Sequence, residues 1–325
     1  MATLARVESQ TLGAIYQAYE QGRKQSDNFG LAIGALGHEC NRALWLQFRW
    51  AHEPETIDGK KARLFETGNL EEGRLIADLE RAGVVVTGQQ EKVRALGGHL
   101  RGKLDGEATG VPEAPKAVHV VECKTANDKR FKEIATGVKS RKTGEVSRGV
   151  KDQAPSHYVQ CQIYMHLRGV KRCLYLLVSK NTDEIYIERI EYDPTFALKT
   201  VARAESIIRA NRAPGRISED RSKYPCVFCP AADVCHGEAF GRVNCRTCIF
   251  STPVIGDDDK GRWFCDRHKH ELSIEDQKSG CGNHLYLPDL VPGEQVDSGE
   301  DWVSYTMPDG TTWRDGVQEA SRRDP

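Results

Sequence analysis

Ala117-Val-His-Val-Val-Glu-Cys-Lys-Thr125 is the stretch on which the reading of this chain turns. It reads as a strand, and side chains alternate faces along a strand. Val118, Val120, Glu122 and Lys124 therefore share one face, and an apolar row ends in a carboxylate and an ammonium. Just upstream, Gly102-Lys-Leu-Asp-Gly106 puts Asp105 at the end of a preceding short strand. Pairing of the two strands would bring Asp105 beside Glu122. Two carboxylates and a lysine converging at strand ends can hold a divalent metal with a cation next to it. That set suits phosphodiester hydrolysis: carboxylates bind hard cations, the metal activates water, and the lysine orients the nucleophile or offsets transition-state charge. Alone, the pattern is equally that of a solvated strand end carrying a surface ion pair, so other parts of the chain must decide.

The chain has 325 residues, 29% charged and 39% hydrophobic, which fits one large core plus an appendage. No run approaches the roughly 20 apolar residues that span a bilayer. The first ten residues lack the basic and apolar segments of a signal peptide, so a cytoplasmic location is expected. The net charge of −1 gives no global support for nucleic-acid binding. The distribution is more telling: from Lys116 to Lys151 there are ten Lys or Arg against four acids. Much of that excess lies in a Gly- and Ser-containing loop, 136–149, directly after the proposed catalytic strand. Such a loop can track a phosphate backbone, or be an ordinary solvated surface.

The eleven cysteines are unevenly spread. In a reducing compartment clustered cysteines indicate metal more often than disulfides. In Tyr224-Pro-Cys-Val-Phe-Cys-Pro-Ala-Ala-Asp-Val-Cys235, Cys226, Cys229 and Cys235 leave a four-ligand site one short, and Cys40 is the candidate for the fourth. A second set comprises Cys245, Cys248, Cys265 and Cys281, which reads as a four-thiolate zinc site with His268 and His284 in reserve. Cys123, Cys161 and Cys173 fall on expected strand or helix and read as buried apolar residues.

Helices are expected over 11–24, after Cys40, over 68–82, 156–167 and 195–211. Strands are expected near 84–87, 92–96, 100–105, 118–124, 173–179 and 185–192. On the 68–82 helix, Glu72 shares a face with Leu75, Ile76 and Leu79. A carboxylate in an apolar stripe is costly unless paired or metal-bound. Glu71 takes its place if the helix is rotated. Gln160 and Tyr164, four residues apart, share a face of the 156–167 helix.

Asp105, Glu122 and Lys124 resemble the signature of the PD-(D/E)XK nucleases, although Leu104 stands where that signature has its proline. The order of features resembles the RecB-like branch, including the AddB nuclease and the CRISPR-adaptation exonucleases. There, one upstream cysteine and a downstream triplet hold a [4Fe–4S] cluster around the catalytic core. The resemblance implies such a cluster on Cys40, Cys226, Cys229 and Cys235, although zinc fits the same thiolates. Gly68 followed by Glu72 resembles the pattern that supplies an extra metal ligand in RecB-like and lambda-type exonucleases. Gln160 and Tyr164 match positions that approach the catalytic lysine and the DNA. The resemblance thus implies an α/β fold: a restriction-endonuclease-like core with a mixed central sheet flanked by helices over 1–240. A small zinc-ribbon-like domain over 241–290 and a tail over 291–325 complete the expected organisation.

The implied activity is a Mg²⁺- or Mn²⁺-dependent DNA exonuclease in recombination or repair. Asp105, Glu122 and Glu72 would hold the metal, with the Val121 or Cys123 carbonyl as a further donor. The implied partners are linear DNA ends, double- or single-stranded, and a recombination annealing protein. Stand-alone chains of this shape resemble bacteriophage-encoded ones, which places the protein in a bacterial host cell. Two rivals remain open: a non-catalytic nucleic-acid-binding protein with structural metal clusters, and an endonuclease on branched or RNA-containing structures.

Overall fold

The structure, a computed structural model, describes residues 9–22 and 29–316. Its centre is a five-stranded mixed sheet. The strand order is Ile185–Glu191, Arg172–Ser179, His119–Ala126, Gly106–Thr109, Val85–Thr87. His119–Ala126 and Arg172–Ser179 run parallel, with Glu122 opposite Tyr175 and Lys124 opposite Leu177. The other pairings are antiparallel. Arg-Cys-Leu-Tyr-Leu-Leu-Val-Ser is almost continuously apolar because both of its faces are covered, as is usual for a strand paired in parallel inside a sheet.

The two faces of the sheet divide the central strand by its period of two. Val121 and Cys123 pack with Leu174, Leu176 and Val178 against Leu75, Ile76 and Leu79 of the long helix Gly59–Arg81. Val120 faces the other way, with Tyr175 and Leu177, toward Cys161, Tyr164 and Met165 of the helix Pro155–Arg168. Cys123, Cys161 and Cys173 are buried as apolar residues.

The long helix begins nine residues before the sequence signal. Asp58 caps it, accepting from the Lys61 amide at 2.7 Å. Its first turns have a partner the helix's own pattern does not reveal, the helix Gln10–Gly22. Gly59 lies against the backbone of Tyr16, where a Cβ would be 2.1 Å from a carbonyl oxygen, and the Tyr19 hydroxyl donates to Glu66 at 2.7 Å. Residues 23 and 24, expected in the first helix, lie outside the described residues.

A strand expected over 100–105 is cut short. Leu100–Lys103 belongs to a separate three-stranded sheet with Leu31–Ala32 and Lys92–Ala95, whereas Gly106–Thr109 joins the central sheet. The chain changes sheets at Leu104, which is wholly buried, and Asp105 stands in the link. The basic loop contains a small hairpin, Val138–Lys139 with Val146–Ser147, and is preceded by a helix, Asp128–Ala135, that has no counterpart among the expected elements.

The hydrophobic core runs across residue 241 without a break: Trp263, Leu272, Tyr286, Leu287 and Tyr305 join the cluster that contains Leu44, Trp45 and Phe48. Within 291–325, expected as a tail, Glu294–Ser298, Val303–Thr306 and Thr312–Asp315 form an antiparallel sheet with Tyr305 buried. The glycines and Asp301 and Asp309 belong to the turns, and the strands between them are too short for their alternation to stand out. Residues 317–325 lie outside the described part. Among the described residues, no helix is long and apolar enough to cross a membrane.

Candidate functional site and cysteine clusters

Asp105, Glu122, Lys124 and Glu72 come together at the seam between the two sheets. The sheet switch at Leu104 turns Asp105 toward the central strand, where its Oδ2 accepts from the Cys123 amide at 2.8 Å. Glu122 is wholly buried, and its Oε1 is ion-paired to the Lys124 ammonium. Its Oε2 is buried with no hydrogen-bond partner. A bare buried carboxylate oxygen is expensive unless something cationic completes it. Burial pushes the Glu122 carboxyl up to about 7, with Asp105 and Glu72 adding to the rise and Lys124 opposing it. Burial also raises Asp105, against the pull of Lys124 and the Cys123 amide. Burial works to lower Lys124, but Glu122 and Asp105 outweigh it and hold the ammonium above its ordinary range.

Glu72 reaches this group from the long helix. Burial raises its carboxyl, the charge of Asp105 raises it further, and Gln90 and Lys124 hold it down. Gln90 donates to Glu72 Oε1 at 2.7 Å. Gln90 has a positive φ of 58° in the turn before Lys92–Ala95, so a turn residue rather than a strand residue steers this carboxylate. Neither Gln90 nor Lys103, whose charge also reaches Glu72, carries a sequence signal. Glu71 faces Arg74 at 3.6 Å.

Tyr164 is placed beside the site in a specific way. Its hydroxyl donates to the Lys103 carbonyl at 2.6 Å and accepts from the Lys103 amide at 3.1 Å. Both sides of the hydroxyl are occupied by backbone two residues before Asp105. Burial raises the phenol, with Glu122 adding to the rise and a hydrogen bond from Gln160 working against it. Gln160 packs near Gly34, where a Cβ would meet its Oε1 at 3.4 Å. On the same side of the sheet, His157 is hydrogen-bonded to the Tyr175 hydroxyl at 2.8 Å.

The four cysteines of the first set line one recess together with His38 and His236. Burial raises the Cys226 and Cys229 thiols, and the charges of Cys235 and Cys40 add to both. Cys40 caps the helix Asn41–Phe48, its sulfur accepting from the Ala43 amide at 3.4 Å. The second set lines another recess with His268 and His284. Burial pushes Cys245 up to about 12, and Cys281, Cys248 and Cys265 contribute. Cys265 sulfur accepts from the His268 amide at 3.5 Å, and His268 Nε2 lies 3.8 Å from Cys281 sulfur. His284 Nε2 is 3.1 Å from the Thr247 hydroxyl.

No disulfide joins any of the eleven cysteines. The donor chemistry suits a hard divalent cation at the carboxylates and a thiophilic metal at each cysteine set. Among the described residues, no group of three or more His, Cys, Asp or Glu is already arranged to hold a metal ion.

No known protein-family profile matches this sequence. No curated protein matches it. Among solved structures, the chain is similar to SSO0001 at 14% identity and a TM-score of 0.38, covering 70% of this chain and 97% of that one. It is also similar to an alkaline exonuclease, LHK-Exo, from Laribacter hongkongensis, at 12% identity and a TM-score of 0.36, covering 59% of this chain and 90% of that one. A second LHK-Exo structure, in complex with dAMP, gives the same identity and score over 60% and 90%. Superpositions this loose carry no functional argument.

Proposed function

We propose that the chain is a metal-dependent nuclease of the PD-(D/E)XK type that hydrolyses phosphodiester bonds at linear DNA ends. One observation carries the reading: a wholly buried Glu122 with a bare Oε2, paired to Lys124, stands beside Asp105 and within the field of Glu72. A structural ion pair at a strand end would not gather two further carboxylates around a buried one, because like charges in a low-dielectric site repel. A divalent cation removes that repulsion. Asp105, Glu122 and Glu72 would hold Mg²⁺ or Mn²⁺, which polarises the phosphate and activates water. Lys124 draws the Glu122 carboxyl down against the effect of burial and would present an ammonium to the attacking water or the developing charge. Gln160, whose side chain bonds Tyr164, would approach this cation when DNA binds. Tyr164 acts through the backbone of Lys103, which fixes the chain entering Asp105.

The same reading assigns a [4Fe–4S] cluster to Cys40, Cys226, Cys229 and Cys235, and Zn²⁺ to Cys245, Cys248, Cys265 and Cys281. It includes action in recombination or repair, in a phage context, alongside an annealing partner. Protein purified without oxygen is expected to absorb broadly near about 400 nm. Colourless protein with zinc on the first four cysteines would remove the iron–sulfur assignment.

The activity is tested on end-labelled linear duplex, linear single-stranded and closed circular DNA with Mg²⁺ or Mn²⁺, beside Lys124→Ala. Degradation of linear DNA that spares circles and is absent in the variant supports the exonuclease reading. Cleavage of circles favours an endonuclease. Binding that survives chelation without any cleavage leaves a non-catalytic DNA-binding protein.

A further inference from the structure

Two arginines sit in the core without a carboxylate. Arg49 is 1% exposed and Arg246 is wholly buried. No ion pair to either is found among the described residues. Every polar partner they have is neutral. Arg246 donates to the carbonyls of Phe29 at 2.6 Å and Phe48 at 3.0 Å, and twice to Gln277 Oε1, at 2.8 and 3.0 Å. Arg49 donates to the carbonyls of Arg246 at 3.0 Å and Ala210 at 2.8 Å, and its Nε has no partner. Both guanidinium groups lie over the Trp263 ring, at 5.2 and 4.9 Å from its centroid, and Arg246 is 3.6 Å from that of Trp50. Rings and carbonyls soften a buried cation but do not neutralise two of them side by side.

The missing negative charge has one nearby source. Arg246 sits inside the knuckle Cys245-Arg-Thr-Cys248. Cys248 is an ionisable group whose charge acts on Arg49, whereas Arg246 feels the like charges of Arg101 and Arg49. Gln277 ties the two neighbourhoods: its amide nitrogen donates to the Leu272 carbonyl at 3.0 Å, which aims its oxygen at Arg246, and its neighbour Asp276 accepts from the Cys245 thiol through its carbonyl at 3.1 Å. Four thiols that bind Zn²⁺ release four protons to solvent and leave a centre of net charge −2. That is equal in magnitude and opposite in sign to the charge of the two guanidinium groups.

We propose that Arg49 and Arg246 are the built-in counter-charge of a four-thiolate zinc centre at Cys245, Cys248, Cys265 and Cys281, so that zinc is what makes their burial tolerable. This rests on the zinc assignment above and is independent of nuclease activity. Arg49 closes the helix Asn41–Phe48, and Arg246 belongs to the C-terminal half. The charge balance thus joins the two halves of the chain.

The test uses the full-length protein, with zinc content, zinc affinity by competition with a chromophoric chelator, and thermal unfolding with and without zinc. Arg246→Met and Arg49→Met keep an unbranched apolar chain and delete the charge. Each is expected to weaken zinc binding at least tenfold and to shrink the loss of Tm on zinc removal by half or more. Should the methionine variants not fold, Gln277→Glu places a carboxylate beside Arg246. It is expected to raise the Tm of the zinc-free protein above that of the zinc-free parent and to weaken zinc binding about fivefold. Zinc affinities within twofold of the parent in every folded variant overturn the counter-charge inference while leaving the zinc site standing. A Cys245→Ser/Cys248→Ser protein that holds as much zinc as the parent overturns both.

Discussion

Lys124 differs from a surface lysine in what its removal exposes. Its partner Glu122 is wholly buried, so deleting the ammonium strands a carboxylate in low dielectric as well as removing a cation from the site. Lys124→Met is therefore expected to lower cleavage of linear DNA by about 10²–10³-fold. Retained folding by circular dichroism separates this from collapse, and a loss below tenfold would remove the lysine from the chemistry. The neighbouring choice between Glu71 and Glu72 is just as sharp. Glu72 feels the charge of Asp105 and is held by Gln90, whereas Glu71 faces Arg74. Glu72→Gln should raise the Mg²⁺ concentration for half-maximal cleavage by about tenfold or more, since loss of even an outer-shell partner costs about 10–100-fold in metal affinity. Glu71→Gln should leave it unchanged. An equal effect of the two substitutions would mean that helix charge, not ligation, sets the metal requirement. These residues were legible because chemistry writes type and spacing into the chain: a carboxylate in an apolar stripe, and Glu and Lys two apart on a strand. Gln90 was not, because a turn residue that reaches a helix eighteen positions earlier leaves no local pattern.

The element that makes the site is the short strand Leu100–Lys103 and the break after it. A continuous strand over 100–105 would have kept Asp105 in one sheet. The switch of sheets at Leu104 depends on a long-range burial that no local period encodes. The helix Pro155–Arg168 holds that switch in two ways. Tyr164 clamps the Lys103 backbone, and Arg168 bridges Glu91 at 2.6 Å and Glu107 at 2.7 Å, one residue from each sheet side of the break. Gly102 is where the clamp is tightest, since a Cβ there would stand 2.5 Å from the Tyr164 hydroxyl. Gly102→Ala is expected to push Tyr164 off Lys103 and to lower cleavage about tenfold or more through misplacement of Asp105. Tyr164→Phe should cost about 1–2 kcal/mol of stability, the range for leaving buried backbone groups unpaired, with a smaller loss of activity. A Tyr164→Phe protein as stable as the parent but inactive would make the hydroxyl a participant in the reaction instead of a clamp. The order of the core elements was readable from periodicity. The length of the helix Gly59–Arg81 was not, because its first turns are held by the N-terminal helix rather than by its own amphipathic stripe.

At the scale of the whole molecule, the two cysteine sets and the buried arginines lie along the line where the C-terminal half meets the helix Asn41–Phe48. His99 is on the same line. It packs edge-on against Phe48 and Trp263, at 5.7 and 5.9 Å between centroids, with Nε2 3.2 Å from the Val254 carbonyl. Burial first and the charge of Arg246 second lower its imidazole to about 4, and the Val254 and Arg262 carbonyls only partly offset them. Above the unfolded value of about 6.5 the ring is neutral in both states and costs nothing. Between pH 6.5 and 4 the unfolded chain takes up a proton that the folded one refuses, so stability falls across that window and levels off below it. The shift corresponds to about 3 kcal/mol. His99→Gln keeps an amide that can reach Val254 and removes the titration. Urea midpoints measured from pH 7 to pH 4.5 should therefore fall less steeply in His99→Gln than in the parent. The gap between the two curves should open below pH 6.5 and approach about 2–3 kcal/mol at the acid end. Protonation of the cysteine sites acts on both proteins and cancels in the difference. Parallel curves would show that the junction tolerates a charged His99, which a seam already holding two guanidinium groups without carboxylates has no means to do unless the thiolates beside it carry more negative charge than those two require.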